Sequence, residues 1–343
     1  MENSSLTVLA GGDLKIPHSS LLYLLPGVAE AFKLSTDITE PVSKFIHSCA
    51  GAAGETASAL SLSDWLAAIP AHIEGETLRQ VATITVAVAI LRERCRQAPD
   101  ESTAGVLAAD ELNLVWDLIH NALTTPLVDS PLGHVSRSSQ GFLTVPLCNL
   151  KKENMIEELY RLHVWLPDGQ RGNPDTPIHS HQSFVQSWVL AGSGLDSSYA
   201  VEPAASPAAA THAEYGLRWS DGGGGQTLSQ DYSPHFSHSV ITNTGRLVRA
   251  SLAGSAAHAR NATYSIPSAR YHTSTVAPDA VHATLFFFDA RRGFFADAGV
   301  LGPKDGGSYR EDRAAAGVTA ADLARTVQEV RRREMLMERT EHR

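Results

Sequence analysis

The run Pro177-Ile-His-Ser-His-Gln-Ser-Phe-Val-Gln-Ser-Trp-Val-Leu-Ala-Gly192 decides how this chain is read. Its second half, residues 184–190, is an apolar strand candidate, and Gly192 is the turn residue that ends it. Ahead of the strand stand His179 and His181. Side chains on a strand repeat on one face every two residues, so a His-x-His pair at its start puts both imidazoles on the same side. Two neutral nitrogens converging on one point suit a first-row transition metal. A third candidate ligand, His272, lies 91 residues beyond His181, in Tyr264-Ser-Ile-Pro-Ser-Ala-Arg-Tyr-His272. Any one of the 15 histidines taken singly reads as an ordinary surface or packed residue. The spaced pair with a distal partner is what predicts a metal site.

From Val135 onwards, short apolar runs alternate with Gly, Pro and Asp. Residues 141–147, 159–166, 184–190, 240–252, 263–266 and 281–288 are strand candidates, and their number and spacing suit an all-β barrel. At this point the chain resembles the cupin superfamily, small antiparallel barrels that carry a metal inside. The first cupin motif runs Gly, His-x-His, three or four residues, Glu, six residues, Gly; His179, His181 and Gly192 fall in register with it. The second contains Pro-x-Gly-x-x-His, and Pro267-Ser-Ala269-Arg-Tyr-His272 matches it with alanine in the glycine place. The resemblance covers roughly residues 135–300 and implies a mainly β fold, a cupin (double-stranded β-helix, jelly-roll) barrel spanning 126–303.

The departure from the pattern narrows the chemistry. Three-residue spacing puts Val185 where most cupins have a metal-binding glutamate, and four-residue spacing puts Gln186 there. Neither is a carboxylate. In this respect the chain is similar to three-histidine cupin dioxygenases, which include thiol dioxygenases and diketone- and gentisate-cleaving enzymes. An ion held by His179, His181 and His272 alone would keep its full charge and about three open positions, favouring an anionic, chelating substrate beside dioxygen. Gln186 either reaches a bound ligand or turns to the strand's other face; both readings stay open. In the thiol dioxygenases the strand after the third histidine presents a Ser-His-Tyr relay. The equivalents here, by alternation, are His282, Thr284 and Phe286, so the relay is absent in its usual form and simple cysteine dioxygenation is in doubt.

Other residues complete the candidate site. His282, expected to face the cavity, is a candidate general acid–base. Tyr271 points away from the metal if it lies on a strand with His272, yet it is a second candidate for moving a proton. Arg161, His163 and Trp165 share one face of the strand 159–166, opposite Leu162 and Val164. Arg161, His163 and, just ahead of the barrel, Arg137 are candidates for binding the substrate, because a guanidinium holds a carboxylate in bidentate fashion.

Composition sets the frame. The 343 residues are 43% apolar and 19% charged, so a sizeable core is expected and disorder is not. A net charge of −9 argues against a nucleic-acid partner. The longest apolar helical stretch, residues 81–91, holds two threonines and is too short to span a membrane. Met-Glu-Asn-Ser-Ser is not a signal-peptide start, and three widely spaced cysteines suit a reducing compartment, so a cytoplasmic protein is expected. Residues 1–125 read as helical, with helices over 74–96 and 104–123 and a short one capped by Ser61 or Ser63 and stopped at Pro70. Residues 202–238, rich in Ala, Ser, Pro and Gly, read as hairpins and a mobile loop. Residues 304–343 end in a helix from about 320, opened by a capping box at Thr319-Ala-Ala-Asp322. Its arginines, 331 to 333, read as a solvated face or a subunit contact, and a homodimer is expected.

The expected function is a mononuclear Fe(II)-dependent dioxygenase acting on a small anionic chelating substrate, a thiol, amino acid or relative, together with dioxygen. Zn, Ni or Mn also fit three neutral nitrogens, and with them the alternative is a lyase or isomerase that does not use dioxygen. A cupin that only binds a ligand is the third reading, and the complete histidine triplet weighs against it.

Overall fold

The computed structural model describes residues 14–52, 59–97, 105–125, 134–153, 155–220, 238–312 and 316–341. Contacts divide the chain into two units, between Leu132 and Gly133.

The first unit contains β1 (Lys15–Pro17), α1 (His18–Phe32), α2 (Thr36–Ala52), β2 (Ala59–Ser61), α3 (Leu62–His72), α4 (Glu76–Arg96) and α5 (Ala109–Thr124). α1, α2, α3 and α5 all pack on α4. Buried residues run without a break from Gln80 to Ala82 and from Ile84 to Glu93, so α4 is covered nearly all round. That burial holds the β-branched run of α4 in a helix, since packing outweighs a propensity difference of tenths of a kcal/mol. The Ser61 hydroxyl caps α3 by accepting from the Asp64 amide at 3.1 Å. The sequence reading stops this helix at Pro70, whereas α3 runs on to His72. A proline in the last turn forfeits one hydrogen bond near an end where bonds are being lost anyway, so the helix closes just beyond it rather than before. The small antiparallel pair of β1 with β2 has no signal in the helical pattern of this region. Among the described residues no helix is long and apolar enough to cross a membrane.

The second unit is mostly β-sheet. It contains β3 (Ser136–Arg137), β4 (Leu143–Lys152), β5 (Met155–Trp165), β6 (Ile178–His179), β7 (Ser183–Ala191), β8 (Ser193–Pro203), β9 (His212–Ser220), β10 (His238–Ala259), β11 (Thr263–Ile266), β12 (Tyr271–Thr275), β13 (His282–Phe294), β14 (Gly299–Gly302), β15 (Ser308–Asp312) and α6 (Ala320–Glu341). Six strands form one antiparallel sheet in the order β11-β7-β13-β5-β4-β3. Seven form the other, β15-β10-β8-β12-β6-β14-β9. The 22-residue β10 pairs with β9 through its first half and with β8 through its second, so the far end of this sheet returns to its beginning.

Gly192, between β7 and β8, shows why the first motif closes on glycine. Its φ is +70°, and a Cβ there would sit 2.0 Å from the Val281 carbonyl oxygen. In the stretch after β8, β9 is a full strand paired antiparallel with β10, as the hairpin reading of this region expects, and it also pairs with β14. The glycine run of residues 221–225 lies outside the described residues.

At the C-terminus, Thr319 and Asp322 exchange hydrogen bonds at 3.1 Å as a capping box before α6. The solvated-face reading holds for Arg332 and Arg333, which are exposed, and needs correcting for Arg331. Arg331 is 2% exposed and donates to the Leu190 carbonyl, while Glu334 accepts from the Gly192 amide at 2.8 Å. α6 therefore belongs with the sheets rather than forming a separate segment over 304–343: it packs on β7 and satisfies backbone groups at that strand's end.

Candidate metal centre

His179 ends β6, paired with His272 of β12 on one side and Val300 of β14 on the other. His181 is not on the strand that the alternation argument assumes. The chain leaves the seven-stranded sheet after His179 and joins the six-stranded sheet at Ser183, so His181 lies in the crossover. Isolated backbone bonds fix it there. Ala269 donates its amide to the His181 carbonyl at 2.9 Å, and Phe295 donates to Gln182 at 2.7 Å. The imidazoles converge because the crossover turns them, with rings 4.9 Å apart and at 82°. Ala269, in the glycine place of the second motif, takes φ 61°, a left-handed conformation that an alanine adopts only at a cost.

His272 completes the cluster, its ring centroid 4.4 Å from His179 and 5.0 Å from His181. One ring nitrogen of each histidine lies within 4.8 Å of the others, a group that could hold a metal ion. The outward nitrogens of His179 and His272 are engaged. His179 Nδ1 hydrogen-bonds the Pro177 carbonyl at 3.1 Å, and His272 Nδ1 hydrogen-bonds Asp196 Oδ1 at 3.0 Å. Asp196 Oδ1 also accepts from Ser274 at 2.9 Å. Burial pushes the Asp196 carboxyl up, but the hydrogen bonds and charge of His272 and the Ser274 hydroxyl outweigh it and hold its pKa below the ordinary value. Burial, then the neighbouring His272, takes the His179 pKa down to about 3. Burial, then His179 and His272, holds His181 well below the usual histidine range. His179 and His181 are thus neutral near pH 7, the state in which they bind metal.

The donor set fits a transition metal. The Nε2 atoms of His272 and His181 are 3.0 Å apart. Two nitrogens each about 2.1 Å from a shared ion and at right angles would be about 3.0 Å apart. A carboxylate or carbonyl on the far nitrogen is also the usual support for a metal-binding imidazole.

Of the two residues in the glutamate's place, Val185 faces inward, buried against Ile266, Phe286 and Phe288. Gln186 lies on the other face, its amide donating to the Tyr264 carbonyl at 3.0 Å and accepting from Arg292. It is not on the cavity wall. The wall beside the histidines is phenyl, with Phe288 and Phe286 ring centroids 5.2 and 6.0 Å from His181.

The histidines open on a cavity of about 410 Å³ lined by both sheets. Arg161, His163 and Trp165 of β5 line it, with Thr284 and Phe286 of β13. His163 is clamped between Phe142 and Phe286, with ring centroids 4.1 and 4.4 Å away. Burial, then the Arg161 charge, holds it neutral. Arg137 is elsewhere, donating to Asp168 at 2.6 Å and to the Gly141 carbonyl at 2.7 Å. His282 does not line the cavity. Its ring lies against Trp165, 5.3 Å between centroids, and against the Gly194 backbone at the end of the sheets. This packing, away from the cavity lining, corrects the alternation reading, and burial lowers its pKa to about 4. Tyr271 is on the opposite face, packed on Ile178, Val248 and Leu301, with its hydroxyl 3.4 Å from Glu214. Burial, then Glu214, raises its pKa to about 12.

Two residues escaped the sequence reading. Asp196 sits on β8, a polar strand with no local mark of function. Tyr264, on β11, lines the cavity and hydrogen-bonds Ser187 and Asp196, supplying a phenol that the strand after His272 lacks. Only the pairing of β11 with β7 and of β8 with β12 brings them in.

Fold and site together define a mostly β unit carrying a three-histidine candidate metal site. No protein-family model matches the chain, and no curated protein matches it either. Among solved structures it is similar to hydroxypropylphosphonic acid epoxidase from S. wedmorenis, at 13% identity and a TM-score of 0.24 over 66% of this chain and 95% of that one. It is also similar to the capsular polysaccharide assembling protein CapF from Staphylococcus aureus, at 11% identity and a TM-score of 0.24 over 64% of this chain and 47% of that one. Likeness this distant carries no weight for function.

Proposed function

We propose that this chain is a metal-dependent enzyme of the three-histidine cupin type, an Fe(II) dioxygenase acting on a small anionic chelating substrate. The convergence of His179, His181 and His272 beside Val185, where a carboxylate ligand would otherwise stand, carries the reading. Fe(II) bound there would supply open positions that bring a chelating substrate and dioxygen together and pass electron density between them.

The chain's own groups set the conditions. The Pro177 carbonyl and Asp196 orient His179 and His272 with Nε2 turned inward. Phe286 and Phe288 keep water from the His181 side, which strengthens each electrostatic contact made there. The Tyr264 hydroxyl, joined to Asp196, is the group proposed to hold a proton for the reaction. A cytoplasmic location and a homodimer belong to the same reading.

Elemental analysis of the purified protein and of His272→Ala tests the centre. Stoichiometric iron, lost in the variant, with iron-dependent oxygen uptake on an anionic chelating compound, is the expected result. No metal in either protein would overturn the reading. Zinc, nickel or manganese, with product formed under anaerobic conditions, would replace it with a lyase or isomerase.

A further inference from the structure

Two of the polar regions on the cavity lining flank Phe286. At one region stand the three histidines. At the other are Arg161 and His163, which share a face of β5 and are 7% and 4% exposed. Phe286 bridges them, its ring centroid 4.4 Å from His163 and 6.0 Å from His181. Phe142, Trp165, Ile266 and Phe288 extend the apolar lining. Phenyl faces on both sides fix the His163 ring, and its buried Nε2 has no hydrogen-bond partner among the described residues. A buried nitrogen in that state costs about 1–3 kcal/mol, which a ligand's polar group would recover.

The charges point the same way. Among the described residues on the lining, Arg161, Arg218 and Arg246 outnumber Glu214 and Asp297, and Arg246 engages Glu214 at 2.8 Å. The Arg161 charge reaches both His163 and His181, so one guanidinium influences both regions. A volume of about 410 Å³ falls in the range of pockets that enclose drug-sized ligands.

We infer that Arg161 and His163 form a second anchor, apart from the metal ligands, and that the substrate is two-ended. Its oxyanion, a carboxylate or equivalent, pairs with Arg161 and hydrogen-bonds His163. Its flat apolar body lies along Phe286, and its chelating group faces the histidines. The inference deepens the metal-enzyme reading and rests on it for the chelating end alone. Arg161 would supply the charge-assisted contact, and the clamped imidazole would fix the direction of approach.

Simple carboxylates test the anchor without turnover. Binding of acetate, hexanoate, benzoate and 3-phenylpropionate to the full chain is measured by calorimetry and by tryptophan fluorescence, since Trp165 lines the cavity. The expected order places 3-phenylpropionate about tenfold or more tighter than acetate, with Arg161→Gln and His163→Phe each losing about tenfold, or 1.4 kcal/mol. His163→Phe keeps an aromatic ring between Phe142 and Phe286 and removes both ring nitrogens, so it carries the test if Arg161→Gln does not fold. In His272→Ala, binding should stay within about threefold, a difference under 1 kcal/mol. Equal binding of acetate and 3-phenylpropionate, or unchanged affinity in His163→Phe, would overturn the anchor. A wild-type protein that binds 3-phenylpropionate but never holds metal would sink the enzyme reading and leave the anchor standing.

Discussion

Removing the carboxylate behind His272 should weaken metal binding in two distinguishable steps. Asp196 Oδ1 accepts from His272 Nδ1 at 3.0 Å and from Ser274 at 2.9 Å, and the His272 ring is buried. In Asp196→Asn the amide oxygen can still accept from Nδ1 and keep Nε2 available, so only the charge is lost. In Asp196→Ala both the charge and the acceptor go, and a buried Nδ1–H is stranded. Groups that support a metal ligand in this way contribute about 10–100-fold to affinity. We place Asp196→Asn near about tenfold, or 1.4 kcal/mol, and Asp196→Ala near about a hundredfold, or 2.8 kcal/mol. Competition for Zn(II) against a chromophoric chelator at pH 7.5 measures both, and circular dichroism checks that the variants are folded. Folded Asp196→Ala that binds zinc within about threefold of wild type would refute the reasoning, because the support would then contribute less than 1 kcal/mol.

Three further outcomes are expected. Val185→Glu puts a carboxylate into the wall of Ile266, Phe286 and Phe288, so the metal-free variant should lose about 3 kcal/mol in urea unfolding, and metal should restore more stability to it than to wild type; equal restoration would mean that the side chain at 185 does not reach the ion. Gly192→Ala should cost about 2 kcal/mol or more, since φ is +70° and the added Cβ meets the Val281 carbonyl at 2.0 Å; a variant within 0.5 kcal/mol of wild type, about the spread of neutral surface changes, would count against that strain. The folded pKa of His282, about 4, lies below its unfolded value near 6.5, so the unfolded chain binds the extra proton and stability falls as pH drops through that window. At 3% exposure the loss between pH 7 and pH 4 should be about 3 kcal/mol greater in wild type than in His282→Gln, and parallel pH curves for the two would refute it.

The sequence carried the candidate metal ligands because their residue type and spacing are local. His179 and His181 are two residues apart, and Gly192 stands at the turn that forbids a side chain. The reason given for their convergence was incomplete, since His181 sits in a crossover rather than on the strand. Alternation located Arg161, His163 and Trp165 on one face because β5 is a regular strand with continuous pairing to β13. The same rule failed for His282, at the first residue of β13, whose ring packs on Trp165 and against the Gly194 backbone instead of lining the cavity. Asp196 and Tyr264 were invisible for a different reason. Each acts through a partner on another strand, and register between distant strands leaves no mark in the local pattern. Arg331 was misjudged likewise, because burial of a cation at the end of β7 depends on where α6 docks.

The two segments of the candidate metal centre stand 91 residues apart and meet where β6 pairs with β12 and the Ala269 amide bonds the His181 carbonyl. A growing chain emerges from the ribosome with its N-terminal part first. Until His272 has been made and β12 has paired, it offers an ion only a two-imidazole stub in a floppy loop. Such a stub gives an ion little to hold, so nothing along the way selects one cation over another. Loading of a metal at this centre would therefore be an event in the life of a finished molecule, governed by whichever cation is available to it at that time. Refolding in vitro should then proceed at the same rate with and without metal, and an occupant once acquired can be exchanged without dismantling the fold.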